Sequence, residues 1–540
     1  MAADTIRRLF FTPPIAIARL GGSSTPLEAF GWGPGDPHTI GETRIRPAWS
    51  FNVDALGTVT AFLPTELHLR DGALQRPVAP FLELWALTGD GPAASWVPTA
   101  VTPALLAANG IDESNVTFSV TAMNMKAARR TGKSSLRFGT FPPVALAASE
   151  HGAVSLNGES PPDADQPMIP RGRHIPLGRV QVMRPQPQPA ADVVPPEVRL
   201  DVLRLRYTPA HGLFYGPPQA ATAQPADGPA VPAERAFLNP NAGWMNASFA
   251  RNGVVQTAVV IPPDTYDMVR RDNRGVSLGV VDDTCELVIA ATASINGAPL
   301  AARANITVGP PHFAPDRRPF LSLADEINDR EHDPARDAAL SDQDRDRWVE
   351  DLFERVYETA SLLDLDFWRA LRGATVPQGQ RRPRRLPPDD GVEPPEQAMG
   401  GKDPLRDPDI RIPAPEPGQP FPLSERARER HRSLSDLSAL QSLLLQHPDR
   451  LDALVRKPFS VSAVESGDAT TMQMPPFMRN SNAFPMTLAD WQYRLLMAWK
   501  DDLLASGLVA EGRDEGGGPL STLAAQRRRD VLELLAKDDR

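Results

Sequence analysis

Between residues 12 and 315 the apolar positions fall into short runs, often alternating with polar ones and separated by Gly, Pro or Asn-Gly. Residues 14–20 (PIAIARL), 57–63 (GTVTAFL), 78–87 (VAPFLELWAL) and 116–121 (VTFSVT) are short, apolar or alternating runs. Such runs predict strands with one buried face. In 78–87, Phe81, Glu83 and Trp85 alternate with Leu82, Leu84 and Ala86. Residues 198–207 (VRLDVLRLRY) also alternate, with a change of phase near Leu203. Residues 288–295 and 302–308 are joined through Asn296-Gly297, a dipeptide that suits a tight hairpin because both positions tolerate positive φ. Many short strands at this spacing predict antiparallel sandwich or barrel-like sheets.

After Pro319 the period lengthens. Residues 321–328 and 344–371 read as helices, the second with Trp348, Leu352, Val356, Leu363, Phe367 and Leu371 along one face. Residues 434–455, interrupted at Pro448, and 488–504, carrying Trp491, Leu495, Ala498 and Trp499, read the same way. Residues 376–422 are rich in Pro, Arg and Asp with almost no apolar period, and read as an irregular crossing segment or linker. The predicted class is therefore α+β and β-rich. Its parts are a β-rich region at 1–150, a second at 151–319 continuing the same body, a helical segment at 320–375, the linker at 376–422, a helical region at 423–510, and a Gly-rich break with a last helix at 511–540.

Composition narrows the picture. There are 58 prolines in 540 residues, roughly twice the usual share of about 5%, which favours strands and stiff turns over long helices. The single cysteine, Cys285, excludes an intrachain disulfide, a Cys-rich zinc site and a four-thiolate iron–sulfur cluster built from these residues. With 57 Lys+Arg against 67 Asp+Glu the net charge is −10, which disfavours general nucleic-acid binding. The opening residues lack the apolar core and cleavage pattern of a secretory leader, and no run approaches 18 apolar residues. A cytoplasmic protein without membrane insertion is the expectation.

Local motifs give no reaction. Gly21-Gly22 follows a strand-like run without the spacing of a phosphate loop, and reads as a turn. No Gly-x-Ser-x-Gly elbow is present, and none of the nine histidines forms a metal-binding or protease pair. His174 in RGRHIPLG and His312 in PPHFAPDRR are loop histidines, candidates for a base or ligand as well as for ordinary hydrogen bonding. Asp282-Asp283 with Glu286 would hold a cation only if the pair sat in a turn, because successive strand residues point to opposite faces. Cys285 reads as a small apolar residue. The basic run 381–385 is offset by acidic neighbours, and 325–346 reads as a solvated mixed-charge face.

Five blocks, taken in order, resemble one family. They are PPIAIARLGG at 13–22, DGALQRPVAPFLELW at 71–85, VTFSVTAMNMKAA at 116–128, the DDTCELVIAATASINGAPL…PPHFAP stretch within 279–315, and MPPFMRNSNAFPMTLADWQYRLLMAW at 474–499. These are similar to blocks of the cysteine tryptophylquinone amino-acid oxidases typified by lysine ε-oxidase and glycine oxidase, with Asn124 and Lys126 in matching places. Pro77 and Pro80 intrude in the second block. The resemblance implies a β-rich body with helical segments, and in active relatives a quinone made from a cysteine and a tryptophan beyond the block that ends here at Trp499. In this sequence neither residue type follows Trp499, and Cys285 lies in the wrong block. The expectation is a chain without the quinone cofactor, whose side chains alone supply no electron sink for amine oxidation.

The reading that follows is a cofactor-less relative acting as a binding or assembly protein. Its partner would be another protein, a second copy or a small amino-acid-like ligand, with 376–422, the mixed-charge helix and the last helix as contact elements. The alternative is an oxidase completed by a partner chain that supplies the quinone residues, or a non-redox enzyme reusing the old cavity. For that alternative His174, His312, Asp283 and Asp316 are the candidate acid–base groups, with Arg173 and Arg317 as carboxylate binders.

Overall fold

The computed structural model describes residues 5–33, 44–165, 167–218, 231–239, 281–312, 318–342 and 487–505, with short pieces at 249–251 and 254–256 and isolated positions elsewhere. The linker 376–422, the last helix and most of 344–371 and 434–455 lie outside the described residues. The chain divides into two compact units: Met1–Gly31 with Arg46–Phe313, and Trp32–Ile45 with Ala314–Arg540.

The first unit is built mainly from strands, with short helices at Pro103–Ala108 and Lys126–Thr131, and the fold is β-rich α+β. Its strands begin with β1 (Ile6–Thr12), β2 (Ile15–Arg19), β3 (Ser50–Val53), β4 (Val59–Phe62), β5 (Phe81–Thr88) and β6 (Val97–Ala100). There follow β7 (Thr117–Asn124), β8 (Phe138–Gly139), β9 (Val144–Ala147), β10 (Val154–Gly158) and β11 (Ile175–Met183). Last come β12 (Arg204–Thr208), β13 (Phe214–Tyr215), β14 (Val281–Asp282), β15 (Glu286–Ile295) and β16 (Ala298–Gly309). One six-stranded sheet has the order β1-β5-β12-β11-β10, with β6 also on β5. The other has β8-β7-β15-β16-β2, with β9 also on β7. All named pairs in these two sheets are antiparallel except β2 with β16.

The alternation in the sequence becomes the core between these sheets. Leu82, Leu84 and Ala86 of β5 point inward while Phe81, Glu83 and Trp85 point out. A single apolar core takes Leu9 and Phe11 from one sheet and Phe118, Val120, Ile289 and Ile306 from the other. The rings of Phe11 and Phe118 lie 6.3 Å apart. The Asn296-Gly297 turn has φ of 49° and 79°, the positive values that a tight hairpin between β15 and β16 needs.

The strand expected over 198–207 begins only at Arg204, where the sequence changes phase. Upstream, Gln186 N donates to Leu200 O at 2.8 Å and Gln188 clasps Leu200 N and Val198 O. Residues 198–200 thus fold back on 186–188 instead of extending the sheet, which the chain rejoins at Leu203 through Leu84. The outer face of the first sheet carries a small second core, in which Val59, Met183 and Leu200 pack with Phe51, Val53, Ala61 and Phe81. That core docks the β3–β4 hairpin onto the sheet.

The second unit has helices α1 (Leu323–Glu331), Pro334–Ala338 as α2, and α3 (Asp490–Ala505). Ser322 caps α1 with a reciprocal Asp325, satisfying two backbone donors that a helix start leaves open. Phe320, Val349, Leu352, Leu488, Leu496 and Trp499 form its core; of the α3 face read from the sequence Trp499 belongs to this core, whereas Ala498 is exposed. His332 stacks on Trp491 at 5.6 Å, and its Nε2 meets Asp337 Oδ2 at 2.7 Å. Its Nδ1 lies 3.5 Å from Asn328 Nδ2, so both ring nitrogens of this buried histidine are occupied. Among the described residues no helix is long and apolar enough to cross a membrane.

Candidate functional site

The structure scatters the residues that the sequence offered. His174 and Arg173 sit on an exposed turn before β11, with the Arg173 guanidinium 4.4 Å over the Phe237 ring. His312 lies just after β16, and its backbone oxygen accepts from Gln75 Nε2. Asp316 and Arg317 lie outside the described residues. Asp283 is 0% exposed, in the core.

The three carboxylates around Cys285 go three ways. Asp282 takes Lys126 Nζ on Oδ2 and the Thr284 hydroxyl on Oδ1 at 2.5 Å. Glu286 forms a two-pronged pair with Arg129 at 2.5 and 2.7 Å. Asp283 turns inward, where Oδ2 accepts from Leu213 N at 3.1 Å and Oδ1 has no hydrogen-bond partner among the described residues. They do not converge as cation ligands, and no group of three His, Cys, Asp or Glu among the described residues could hold a metal. Asn124 holds this segment by donating from Nδ2 to Asp282 O and Thr284 O at 2.9 and 2.8 Å.

Burial governs the chemistry of that interior. It raises the Asp283 carboxyl to about 7, since charge is costly away from water, with the neighbouring Asp282 charge adding to the rise. Burial also pushes the Cys285 thiol up to about 12. Cys285 Sγ lies 3.4 Å from the Tyr207 hydroxyl, which donates to Leu177 O at 2.6 Å. A thiol held in its neutral form this way is not a nucleophile at neutral pH. It packs as a small apolar residue.

A different place offers access. Between the β3–β4 hairpin and the outer face of β11 and β12 lies an open cavity of ≈ 350 Å³. Its sheet wall is Arg179, Gln181, Arg206 and Thr208, and its hairpin wall includes Asn52, Asp54, Thr58 and Thr60. Ser24 and Pro26, from the loop after β2, close one side.

A bulge puts these side chains there. In β11, Ile175 and Leu177 face the core, and after Gly178 so do Val180 and Val182. The switch from odd to even positions is a β-bulge opposite Leu156 and Asn157. An extra residue in one strand reverses which side chains face inward. Without it, Arg179 and Gln181 would point into the core. Gly178 has φ of 116°, and a Cβ there would stand 2.5 Å from Thr208 O and 2.8 Å from the Tyr207 ring. In β12, Leu205 and Tyr207 take the core, leaving Arg206 and Thr208 outside.

The hairpin wall is held by specific bonds. Gln181 Nε2 donates to Asp54 O and His151 O, both at 2.9 Å. Arg184 N donates to Gly57 O at 2.8 Å. Asp54 Oδ1 accepts from Leu56 N and Thr58 N, each at 2.8 Å. The Thr58 amide is the main cause holding the Asp54 carboxyl below its ordinary range, so it is ionised at neutral pH.

Charge is unevenly compensated across this wall. Arg204, at the neighbouring outward position of β12, is clamped by Glu83 Oε1 at 2.6 and 2.8 Å and lies over the Phe51 and Phe81 rings. Arg206 has no such carboxylate among the described residues. Burial, with a smaller contribution from the charge of nearby Arg179, lowers its pKa to about 10. Sequence reading passed over Arg179, Gln181 and Arg206. The signal was present in HIPLGRVQVM, where apolar residues change phase across a glycine.

No protein-family model, curated protein or solved structure matches the chain.

Proposed function

We propose that this chain is a binding protein that carries no quinone, oxidises no amine and takes a small polar ligand in the cavity beside the β3–β4 hairpin. The observation that carries this reading is a separation. The accessible cavity is lined by Arg, Gln, Asn, Ser and Thr side chains, by Pro26 and Val53, and by one carboxylate, Asp54, already tied to two backbone amides. The described carboxyl raised to about 7, Asp283, is sealed in the core. Acid–base catalysis needs a group with a pKa near the working pH within reach of the ligand. Cavity and poised carboxyl lie in different places, which favours recognition over turnover.

The five resembling blocks support a shared β body with the quinone oxidases, and an amino-acid-like ligand is compatible with a cavity that offers both guanidinium and carboxylate. The cysteine present, Cys285, is sealed in the core against the Tyr207 hydroxyl, which supports a body that holds no quinone there. Partner binding or self-association belongs to the same reading and is checked by light scattering of the purified chain.

The test is direct. The purified protein is expected to show no quinone absorbance, no quinone redox staining and no peroxide release with amino acids or primary amines. Peroxide formation well above a protein-free blank would overturn the proposal.

A further inference from the structure

We infer that the cavity between the β3–β4 hairpin and strands β11 and β12 is a site for a hydroxylated organic anion, its oxyanion group held jointly by Arg206 and Arg179. The inference rests on the binding-protein reading above and names the chemistry of its ligand.

The first support is the pairing of like charges. In the β11–β12 register Arg179 lies opposite Thr208 and Gln181 opposite Arg206. The two arginines are therefore diagonal neighbours on one face, with Cα atoms about 7–8 Å apart, close enough for both guanidinium groups to reach one ligand. Arg206 is half-buried, and no hydrogen bond or ion pair to either guanidinium is found among the described residues. Two cations share a partly desolvated wall that stays unfavourable until an anion arrives. A planar guanidinium matches carboxylate and phosphate oxygens in a two-pronged geometry. By contrast Arg204 is neutralised by Glu83, and Arg76 by Glu28 and Asp71.

The second support is rigidity. Both arginines stand on central strands of a six-stranded sheet, and the Gly178 bulge fixes the direction of Arg179. Sites that discriminate between ligands are built on such elements.

The third support is the rest of the lining. Ser24, Asn52, Thr58, Thr60 and Thr208 are neutral side chains that donate to and accept from hydroxyl groups. Asp54 places one negative charge against two positive ones and accepts only, which suits a ligand hydroxyl. A volume of ≈ 350 Å³ falls within the range of small-molecule sites, roughly 300–1,000 Å³. The ligand is thus an organic molecule carrying the anion, either a phosphate monoester or a hydroxy-dicarboxylate.

Isothermal titration calorimetry of the full chain tests this with four probes: glycerol 3-phosphate, tartrate, inorganic phosphate and glycerol. At least one of the first two is expected to bind tighter than inorganic phosphate and glycerol, and to weaken as salt rises. Which one binds identifies the source of the oxyanion. Arg206→Gln and Arg179→Gln should each weaken that probe by about tenfold or more, with Arg206→Lys between. Arg303→Gln, on the exposed side of the other sheet, should change nothing. Arg206→Gln removes an uncompensated charge, so its unfolding temperature should not fall; Arg179→Gln, at an exposed position, is the second variant should that one fail to fold. Undiminished anion binding by the double variant Arg179→Gln/Arg206→Gln would overturn this site while leaving the binding-protein reading intact. Failure of both organic anions at millimolar concentration would overturn the ligand class. Peroxide release from an amine would instead sink the function proposed above without touching anion binding.

Discussion

Asp283 shows how one residue couples burial to pH. Its carboxyl is sealed among Tyr207, Tyr215 and Leu213 and raised from an ordinary value near 3.8 to about 7. Burial also raises Tyr215 to about 12, with the Asp283 charge contributing. The folded protein therefore holds the Asp283 proton over a range where the unfolded chain has released it. Stability contributed by this group is fully present below about pH 4 and is lost as pH rises through about 7. Three pKa units correspond to an effect on the order of 4 kcal/mol. Asp283→Asn should accordingly gain on the wild type as pH goes from 5 to 8, read from thermal midpoints at each pH. Parallel curves for the two proteins would contradict the assignment. The sequence pointed to Asp283 as a candidate base, and its place in the core makes it a proton-linked structural group instead.

The β11 bulge is the element that makes the cavity. Gly178 occupies a backbone conformation that L side chains rarely adopt, with neighbouring backbone closing the space where a Cβ would stand. Gly178→Ala should destabilise the protein by about 2 kcal/mol or more, measured by urea unfolding, and should weaken anion binding by turning Arg179. An unchanged midpoint would show that the bulge relaxes freely. The hairpin wall is equally specific. Gln181 reaches across from β11 to two backbone oxygens, so Gln181→Leu should loosen the wall and lower affinity for the organic anion without altering the sheet core. Both effects belong to elements, because neither residue needs to touch the ligand.

Across the whole molecule, a β sandwich with a helical unit follows from period and punctuation. The innermost strands should hold their amides longest. Hydrogen exchange at Leu287, Ile289 and Ala291 of β15 is expected to be slower than at Val154 and Leu156 of the edge strand β10. Runs at 57–63, 78–87 and 116–121 showed where strands form, Asn296-Gly297 showed a turn, and the apolar residues of 488–504 showed a helix, although its core face runs through Leu496 and Trp499 with Ala498 outside. Those properties are local: a residue's neighbours one to four positions away decide which side of an element is apolar. The reading of Cys285 as a small apolar residue agrees with its burial. The cavity was not legible as a site. Residues 52–60, 179–181 and 206–208 are far apart in sequence, and only strand pairing together with docking of the hairpin brings them to one face. Charge compensation is likewise a tertiary property. Arg204 and Arg206 are near-identical in sequence context, and only the fold gives Glu83 to the first and leaves the second facing Arg179.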